Sequence, residues 1–311
     1  MHAWVTGATG QIGQKLTSEL VNLGYEVTAF SRQMMKSTDK RHCVKWDLSS
    51  STYDFSQLRN PTVVFHLAAQ TSAYQARNDL PSDVLTNVSA FVNLLDAVRR
   101  TGTCPHVISI GAATEVGMTA NPVITDLDPD DPLTFYDVGK VAQRLYLRQC
   151  DAEGWLDGTT IRLPNVYGGA THSSSDERGF INQCIRRALM GNELTYYSDG
   201  EYIRDYLHVD DVVRALISVI NSRSEVAGET FVIGTGTGTR VRDALAEIAR
   251  QAEEITGALV KVGPSPPPAG MYEIERRDAI VDSSRFTKKT GWQPELRLAE
   301  GLKLTFRQFT P

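Results

Sequence analysis

Thr6-Gly7-Ala8-Thr9-Gly10-Gln11-Ile12-Gly13 lies between a short apolar run, Ala3-Trp4-Val5, and a segment whose apolar residues recur at Ile12, Leu16, Leu20 and Leu23. The run predicts a strand and the recurrence an amphipathic helix, with Gly24 as its stop. Three glycines spaced by three at a strand-to-helix junction restrict the fold strongly. The backbone must turn tightly, turn N–H groups outward at the helix start, and let the helix lie close on the strand. A pyrophosphate makes the same demands. Gly7, Thr9, Gly10, Gln11, Ile12 and Gly13 therefore read as a dinucleotide-binding turn, with a ligand-free glycine turn as the alternative.

The following segments alternate in the same way. Glu26–Phe30, Val63–Leu67, Val107–Ile110 and Thr159–Leu163 have strand character, while 84–100 and 136–150 have helical character. Val63-Val64-Phe65-His66-Leu67 is almost wholly apolar, as a strand covered on both faces must be. Alternation of this kind predicts an α/β fold, a Rossmann-like doubly wound parallel sheet with right-handed crossovers. After residue 165 the loops lengthen. A helix over about 179–190, a short strand Leu194–Tyr197, a helix starting at Asp210-Asp211, a strand Thr230–Ile233 and a Thr-capped helix Arg240–Ile255 are expected there. Pro264-Ser265-Pro266-Pro267-Pro268 reads as a stiff loop. The length of 311 residues suits a nucleotide-binding domain over 1–165, completed by about 206–236, and a smaller, partly interleaved substrate-binding domain over 166–311.

A net charge of −5 gives no clustered cations for a nucleic-acid backbone. Four cysteines with no C-x-x-C spacing point away from structural zinc and disulfides, and towards a reducing cytosol. No signal-like start and no long apolar run are visible, so a cytoplasmic protein without a membrane segment or a metal is expected. Gly234-Thr235-Gly236-Thr237-Gly238-Thr239 lacks the Gly-Lys-Ser/Thr of a phosphate loop and reads as a plain connection.

The second strand ends Phe30-Ser31-Arg32, with no carboxylate to accept from a ribose 2′-hydroxyl. A hydroxyl and a guanidinium suit a 2′-phosphate instead, so NADP(H) is preferred, with NAD the alternative. Arg32 as a solvated or adenine-stacking residue stays open. In Trp46-Asp47-Leu48, Asp47 is placed for the adenine amino group or for a turn. Further on, Tyr136-Asp137-Val138-Gly139-Lys140 puts Tyr136 and Lys140 on one helix face. A nearby ammonium favours phenolate and would bring Tyr136 towards the pH at which it moves protons.

These features, with His66-Leu67-Ala68-Ala69, Asn87 in Asn87-Val88-Ser89-Ala90, Arg162-Leu163-Pro164-Asn165-Val166-Tyr167-Gly168, Arg204-Asp205-Tyr206-Leu207-His208-Val209-Asp210-Asp211 and Gly291-Trp292-Gln293-Pro294, run through nearly the whole chain. In this order they resemble the extended short-chain dehydrogenase/reductases that modify nucleotide sugars: epimerases, dehydratases and 4-ketoreductases. The resemblance implies that Leu67, Ala68, Ala69, Asn87 and Leu48 border the cofactor, and that Tyr136 and Lys140 act with a Ser or Thr after the fifth strand. That segment, Ser109-Ile110-Gly111-Ala112-Ala113-Thr114-Glu115-Val116-Gly117, lacks the usual Tyr before its last Gly, so Thr114 is taken as the hydroxyl and Ser109 as the fallback. Glu115 has no adjacent Asp, which counts against a 4,6-dehydratase; it orients substrate or is structural. Arg204, either Arg276 or Arg277, Asn165 and Arg178 are the implied partners of a nucleoside diphosphate sugar. A homodimer through 84–100 and 136–150 is implied as well.

Three functions fit. The first is NADPH-dependent reduction of an NDP-4-keto-6-deoxyhexose at C4. The second is NAD-dependent C4 epimerisation of a UDP-hexose. The third, a non-catalytic NADP sensor, is opposed by the intact Tyr136–Lys140 pair.

Overall fold

Along β1 (His2–Thr6), Ala3 and Val5 point to one face of the sheet and Trp4 to the other, and each face becomes a core. The computed structural model describes residues 1–32, 36–47, 49, 58–169 and 179–309. On the first face α1 (Gln11–Asn22) lays Leu16 and Leu20 beside Val212 and Leu216 of the later helix Val209–Asn221. On the second face Trp4 meets Phe30 edge-on, with ring centroids 5.5 Å apart, and Phe30 meets Trp46 at 5.4 Å. Phe91, Leu94 and Val98 of α2 (Ala90–Arg100) and Leu147 of α3 (Phe135–Ala152) close that side.

The sheet has seven parallel strands. With β2 (Glu26–Ser31), β3 (Arg41–Lys45), β4 (Val63–His66), β5 (His106–Ala112), β6 (Asp157–Leu163) and β7 (Thr230–Val232), its order is β7-β6-β5-β4-β1-β2-β3. The order reverses at β1, which has β4 on one side and β2 on the other. The doubly wound expectation holds, and the reversal opens a crevice at the carboxyl ends of β1 and β4, where the glycine turn lies.

Four local expectations are corrected. The helix read over 84–100 is an α-turn Leu80–Asp83, a π-helical turn Val84–Ser89 and then α2. The proline-rich loop begins as a strand, Val262–Ser265, paired in parallel with Leu194–Tyr197; a two-stranded edge tolerates a proline that a central strand would not. Asp210 and Asp211 do not cap Val209–Asn221. The His208 ring accepts from the Asp210 N–H, while buried Asp211 reaches across to accept from the Glu295 and Leu296 N–H groups. Helix Val241–Thr256 starts without a side-chain cap, because Thr239-Arg240 is spent pairing with Ile203-Arg204.

A third core joins helices Phe180–Leu189, Val241–Thr256 and Leu298–Phe309 around Tyr167, Ile185, Ile248 and Phe306. The chain then returns to the sheet. Phe286 packs on Phe231 of β7 and on Trp292, whose indole N–H donates to the Asp211 carbonyl. All four cysteines are free thiols. Among the described residues no helix is long and apolar enough to cross a membrane.

Candidate active site

The glycine turn is shaped by close approach. Gly7 has φ +65°, and a β-carbon there would lie 2.7 Å from the backbone of Leu67 and Ala68 at the end of β4. At Gly13 a β-carbon would lie 2.2 Å from the Gly7 carbonyl oxygen. Thr6 ties the two strand ends together: its hydroxyl accepts from the Leu67 and Ala68 N–H groups and pairs with the His66 ring at 3.0 Å. Burial drives the His66 ring down to about 3, so it is neutral there. Gly10 begins α1 with no side-chain cap, and Gln11 turns its amide to the Gly168 carbonyl. The first N–H groups of α1 thus lack a side-chain acceptor, at the positive end of the helix. This turn fits a dinucleotide: Gly7, Thr9, Gly10, Gln11, Ile12 and Gly13 would hold the pyrophosphate, and half-buried Leu67, Ala68 and Ala69 would border it.

Beyond the turn, Ser31 is buried at the end of β2, and Arg32 beside it is exposed. The Asp47 carboxylate accepts from the Ser49 N–H and hydroxyl through Oδ1, so it makes the turn there. Asn87 is fully buried in the π-helical turn, and its side chain bonds both backbone groups of Gln70 and the Asp83 carboxylate. It holds the segment after β4 and faces inward. Leu48 and Arg178 lie outside the described residues.

A cleft of about 500 Å³ opens beside Gln11 and Ile12, between the ends of β5 and β6 and the segment 272–281. It brings together Thr114, Tyr136, Asn165, Arg204 and Arg277 from distant parts of the chain. Thr114 sits on a 3₁₀ turn, Ala113–Val116, directly after β5. Tyr136 is in the first turn of α3, whose N-cap Thr134 accepts from the Asp137 N–H. Ser109 is buried inside β5, bonded to Thr160, and is not on the cleft.

Three expectations for this cleft are corrected. Glu115 does not face it: the carboxylate is wholly buried, accepts from the Ala112 N–H at 2.7 Å and pairs with Arg162 at 3.1 Å and Arg144 at 3.5 Å. Of the paired arginines, Arg276 is exposed and off the cleft, while Arg277 is on it. The Arg277 guanidinium is spent on the Gly117 and Ala113 carbonyls, so it props the turn that carries Thr114. Arg204 likewise donates to the Ile203, Glu275 and Arg277 carbonyls and pins that wall.

The third correction concerns Tyr136. Lys140 Nζ donates to the Ile110 carbonyl at 2.9 Å and to Gln143 at 3.2 Å, and lies 5.8 Å from the centre of the Tyr136 ring. Burial lowers Lys140 to about 8, against the pull of Glu115 and Asp83. The phenol of Tyr136 is pushed above its ordinary value by burial, and further by Asp137, Glu115 and Asp83. The ammonium thus bonds Ile110 and Gln143 while lying near the Tyr136 ring, and burial favours the protonated form of the phenol.

Sequence reasoning passed over Asp137 and Asp205. Asp137 was the spacer after Tyr136, though Thr134-x-x-Asp137 carries a helix-start signature. Buried Asp205 accepts from the Thr235 and Gly236 N–H groups, the Thr235 hydroxyl and the Val281 N–H. The glycine-threonine run 234–239 therefore wraps a carboxylate of the chain itself, which explains its anion-loop look.

Residues 3–234 match the NAD dependent epimerase/dehydratase family. The chain is 32% identical to the UDP-glucose 4-epimerase of Mycolicibacterium smegmatis, over 99% of this chain and 98% of that one. The crystal structure of a UDP-glucose 4-epimerase from Thermotoga maritima with UDP-glucose has a TM-score of 0.87 and 30% identity, covering 99% of this chain and 98% of the other. That of Thermus thermophilus UDP-glucose 4-epimerase in complex with NAD has a TM-score of 0.85 and 26% identity, covering 99% of both chains. With the glycine turn at the sheet reversal and Tyr136 on the adjoining cleft, the chain belongs to the NAD dependent epimerase/dehydratase family, the nucleotide-sugar-modifying extended short-chain dehydrogenase/reductases.

Proposed function

We propose that this protein is an NAD-dependent C4 epimerase of a UDP-hexose. The observation that carries the reading is full-length likeness to UDP-glucose 4-epimerases, together with a cleft that joins the glycine turn to Tyr136 and Thr114. A bound nicotinamide dinucleotide supplies reversible hydride acceptance. The chain supplies position and protons. Tyr136 Oη takes the proton of the C4 hydroxyl as the carbinol is oxidised and returns it to the same oxygen as the ketone is reduced. Lys140 anchors α3 to β5 through the Ile110 carbonyl, which fixes Tyr136 against the cleft. Arg277 holds Thr114 in place from behind. Arg204 and Asn165 line the far wall, where the diphosphate is expected, with Arg178 a further candidate.

A second reading is NADPH-dependent 4-ketoreduction of an NDP-4-keto-6-deoxyhexose. What favours it is exposed Arg32 after Ser31 at the end of β2, with no carboxylate to repel a 2′-phosphate. One experiment separates the two. Purified protein is denatured to identify its bound nucleotide, then assayed by proton NMR with UDP-glucose and, in parallel, with NADPH and dTDP-4-keto-6-deoxyglucose. Bound NAD and interconversion of UDP-glucose with UDP-galactose support the epimerase. Stoichiometric NADPH loss with the keto sugar replaces it by the reductase.

The reading includes a homodimer in the cytoplasm. Its support is a set of exposed apolar side chains on the two elements expected to pair: Val84 and Leu85 on the π-helical turn, and Val138, Leu145 and Tyr146 on α3.

A further inference from the structure

The cleft has two lips from distant parts of the chain: Thr71 and Ala73, after β4, and Tyr272, Ile274 and Glu275. The first stands on a fixed base, because Asn87 and Asp83 hold Gln70. The second is fixed at one end by Arg204, which takes the Glu275 carbonyl. Between that point and the strand Val262–Ser265 runs the segment 266–274, with three consecutive prolines and Gly270 at φ +72°. Four side chains join the lips. Arg77, on the helix Ala73–Asn78, lays its guanidinium carbon 3.8 Å from the centre of the Tyr272 ring and 5.3 Å from that of Tyr74. Its Nε donates to the Tyr272 hydroxyl at 2.9 Å, and its Nη2 to the Gly270 carbonyl at 2.9 Å. The Tyr272 hydroxyl donates in turn to the Ala73 carbonyl at 3.5 Å, and the Tyr74 hydroxyl donates to the Glu275 carboxylate. Gly270 is shaped to this clasp: a β-carbon there would lie 3.0 Å from Arg77 Nη1.

Tyr74 and Arg77 are exposed, so the clasp serves no core. It lies where water and ligand reach the cleft. An epimerase has a particular use for a closed mouth. Oxidation of the carbinol sends a hydride from C4 to the nicotinamide and the O4 proton to Tyr136. The ketone must then stay, turn over and take both back. A ketone that escapes leaves the reduced nicotinamide and the proton behind, and the protein stalls. We propose that Arg77 is a positioning residue that clamps Tyr272 and Gly270 across the mouth of the cleft, so that the 4-ketone stays bound until it is reduced. The proposal rests on the epimerase reading and deepens it. A reductase, which releases a carbinol and exchanges its nucleotide at every turnover, has no such intermediate to retain.

The test compares Arg77→Leu and Gly270→Ala with the unaltered protein, each with its bound nucleotide. Both residues stand outside the lining of the cleft. UDP exchange is followed by stopped-flow fluorescence. An exposed cation–π contact alone shifts an equilibrium by about two- to fivefold, and two hydrogen bonds act beside this one. Both variants are therefore expected to bind and release UDP about tenfold faster, with affinity unchanged within about twofold, because a closed mouth slows entry and exit alike. With UDP-glucose, both are expected to shed a 4-keto sugar nucleotide, seen by proton NMR. An equal amount of reduced nicotinamide is expected to build up about tenfold faster than in the unaltered protein, seen by its absorbance. Arg77→Lys, which keeps a cation for the ring, is expected to shed less ketone than Arg77→Leu. Unaltered exchange in both variants overturns the proposal, as does faster exchange without release of ketone. Unaltered protein that exchanges UDP but does not interconvert UDP-glucose and UDP-galactose overturns the epimerase reading, and this proposal with it. Interconversion by the unaltered protein, with no ketone shed by either variant, overturns this proposal alone.

Discussion

Replacing Glu115 by Gln changes one oxygen to an amide and leaves the shape of the side chain intact. The group belongs to a buried cluster of four charges. Glu115, wholly buried, pairs with Arg162 and Arg144, and both arginines also pair with Asp130, the one member that reaches solvent. The cluster is neutral as it stands. In the Gln variant, two buried guanidinium groups share a single carboxylate. Breaking a buried pair by removing one partner costs about 3–5 kcal/mol. An unfolding entropy of about 2.1 cal/mol/K per residue gives a chain of this length roughly 0.65 kcal/mol/K, so that loss lowers Tm by roughly 5–8 °C. Thermal unfolding followed by circular dichroism reads it directly. Because Glu115 faces away from the cleft, KM for the sugar nucleotide, measured well below the transition, is expected to stay within about twofold. A Tm unchanged within a degree, combined with a tenfold rise in KM, would refute the reasoning and return Glu115 to the substrate.

Three further predictions follow from other parts of the fold. Gly13→Ala places a β-carbon against the Gly7 carbonyl, so the variant should keep its secondary structure but lose bound nucleotide, quantified per chain after denaturation. His66 is held near 3 in the folded chain, while its unfolded value is 6.5; the stability this confers is present above pH 6.5 and is lost as pH falls towards 3. His66 should therefore contribute about 2 kcal/mol to the loss of stability between pH 7 and pH 5, beside the share of His106, held near 4 by burial, and urea midpoints at the two pH values should differ by about that much less in His66→Asn. Leu85→Glu together with Tyr146→Glu, on the exposed apolar surface, should give a monomer by sedimentation where the unaltered chain sediments as a dimer.

Periodicity was a good guide wherever one physical demand dominated. The apolar run at Val63–Leu67 and the recurrence from Ile12 to Leu23 each report burial, and the sheet and α1 follow from them. The glycine turn was legible because its residues meet backbone within van der Waals contact. The Asp residues were not legible. Asp137, Asp205 and Asp211 each find their partners across long stretches of chain, at Thr114, at Thr235 and Val281, and at Glu295, and no local pattern encodes that reach. The partners of Glu115 and Lys140 were hidden for a related reason. Spacing places a side chain on a face of its element, but the neighbours that consume its charge come from Arg162 in one case and from Ile110 and Gln143 in the other.

The sheet is finished by a strand from late in the chain. β7 arrives more than sixty residues after β6, once the chain has passed through Phe180–Leu189 and Val209–Asn221. On the ribosome, β6 therefore waits as an unpaired edge with apolar Ile161 and Leu163 until residues 230–232 emerge. Any protein truncated before that point keeps the glycine turn and Tyr136 yet leaves this edge open to other chains. Such fragments should aggregate during synthesis, and the nucleotide-binding half should resist expression as a separate unit.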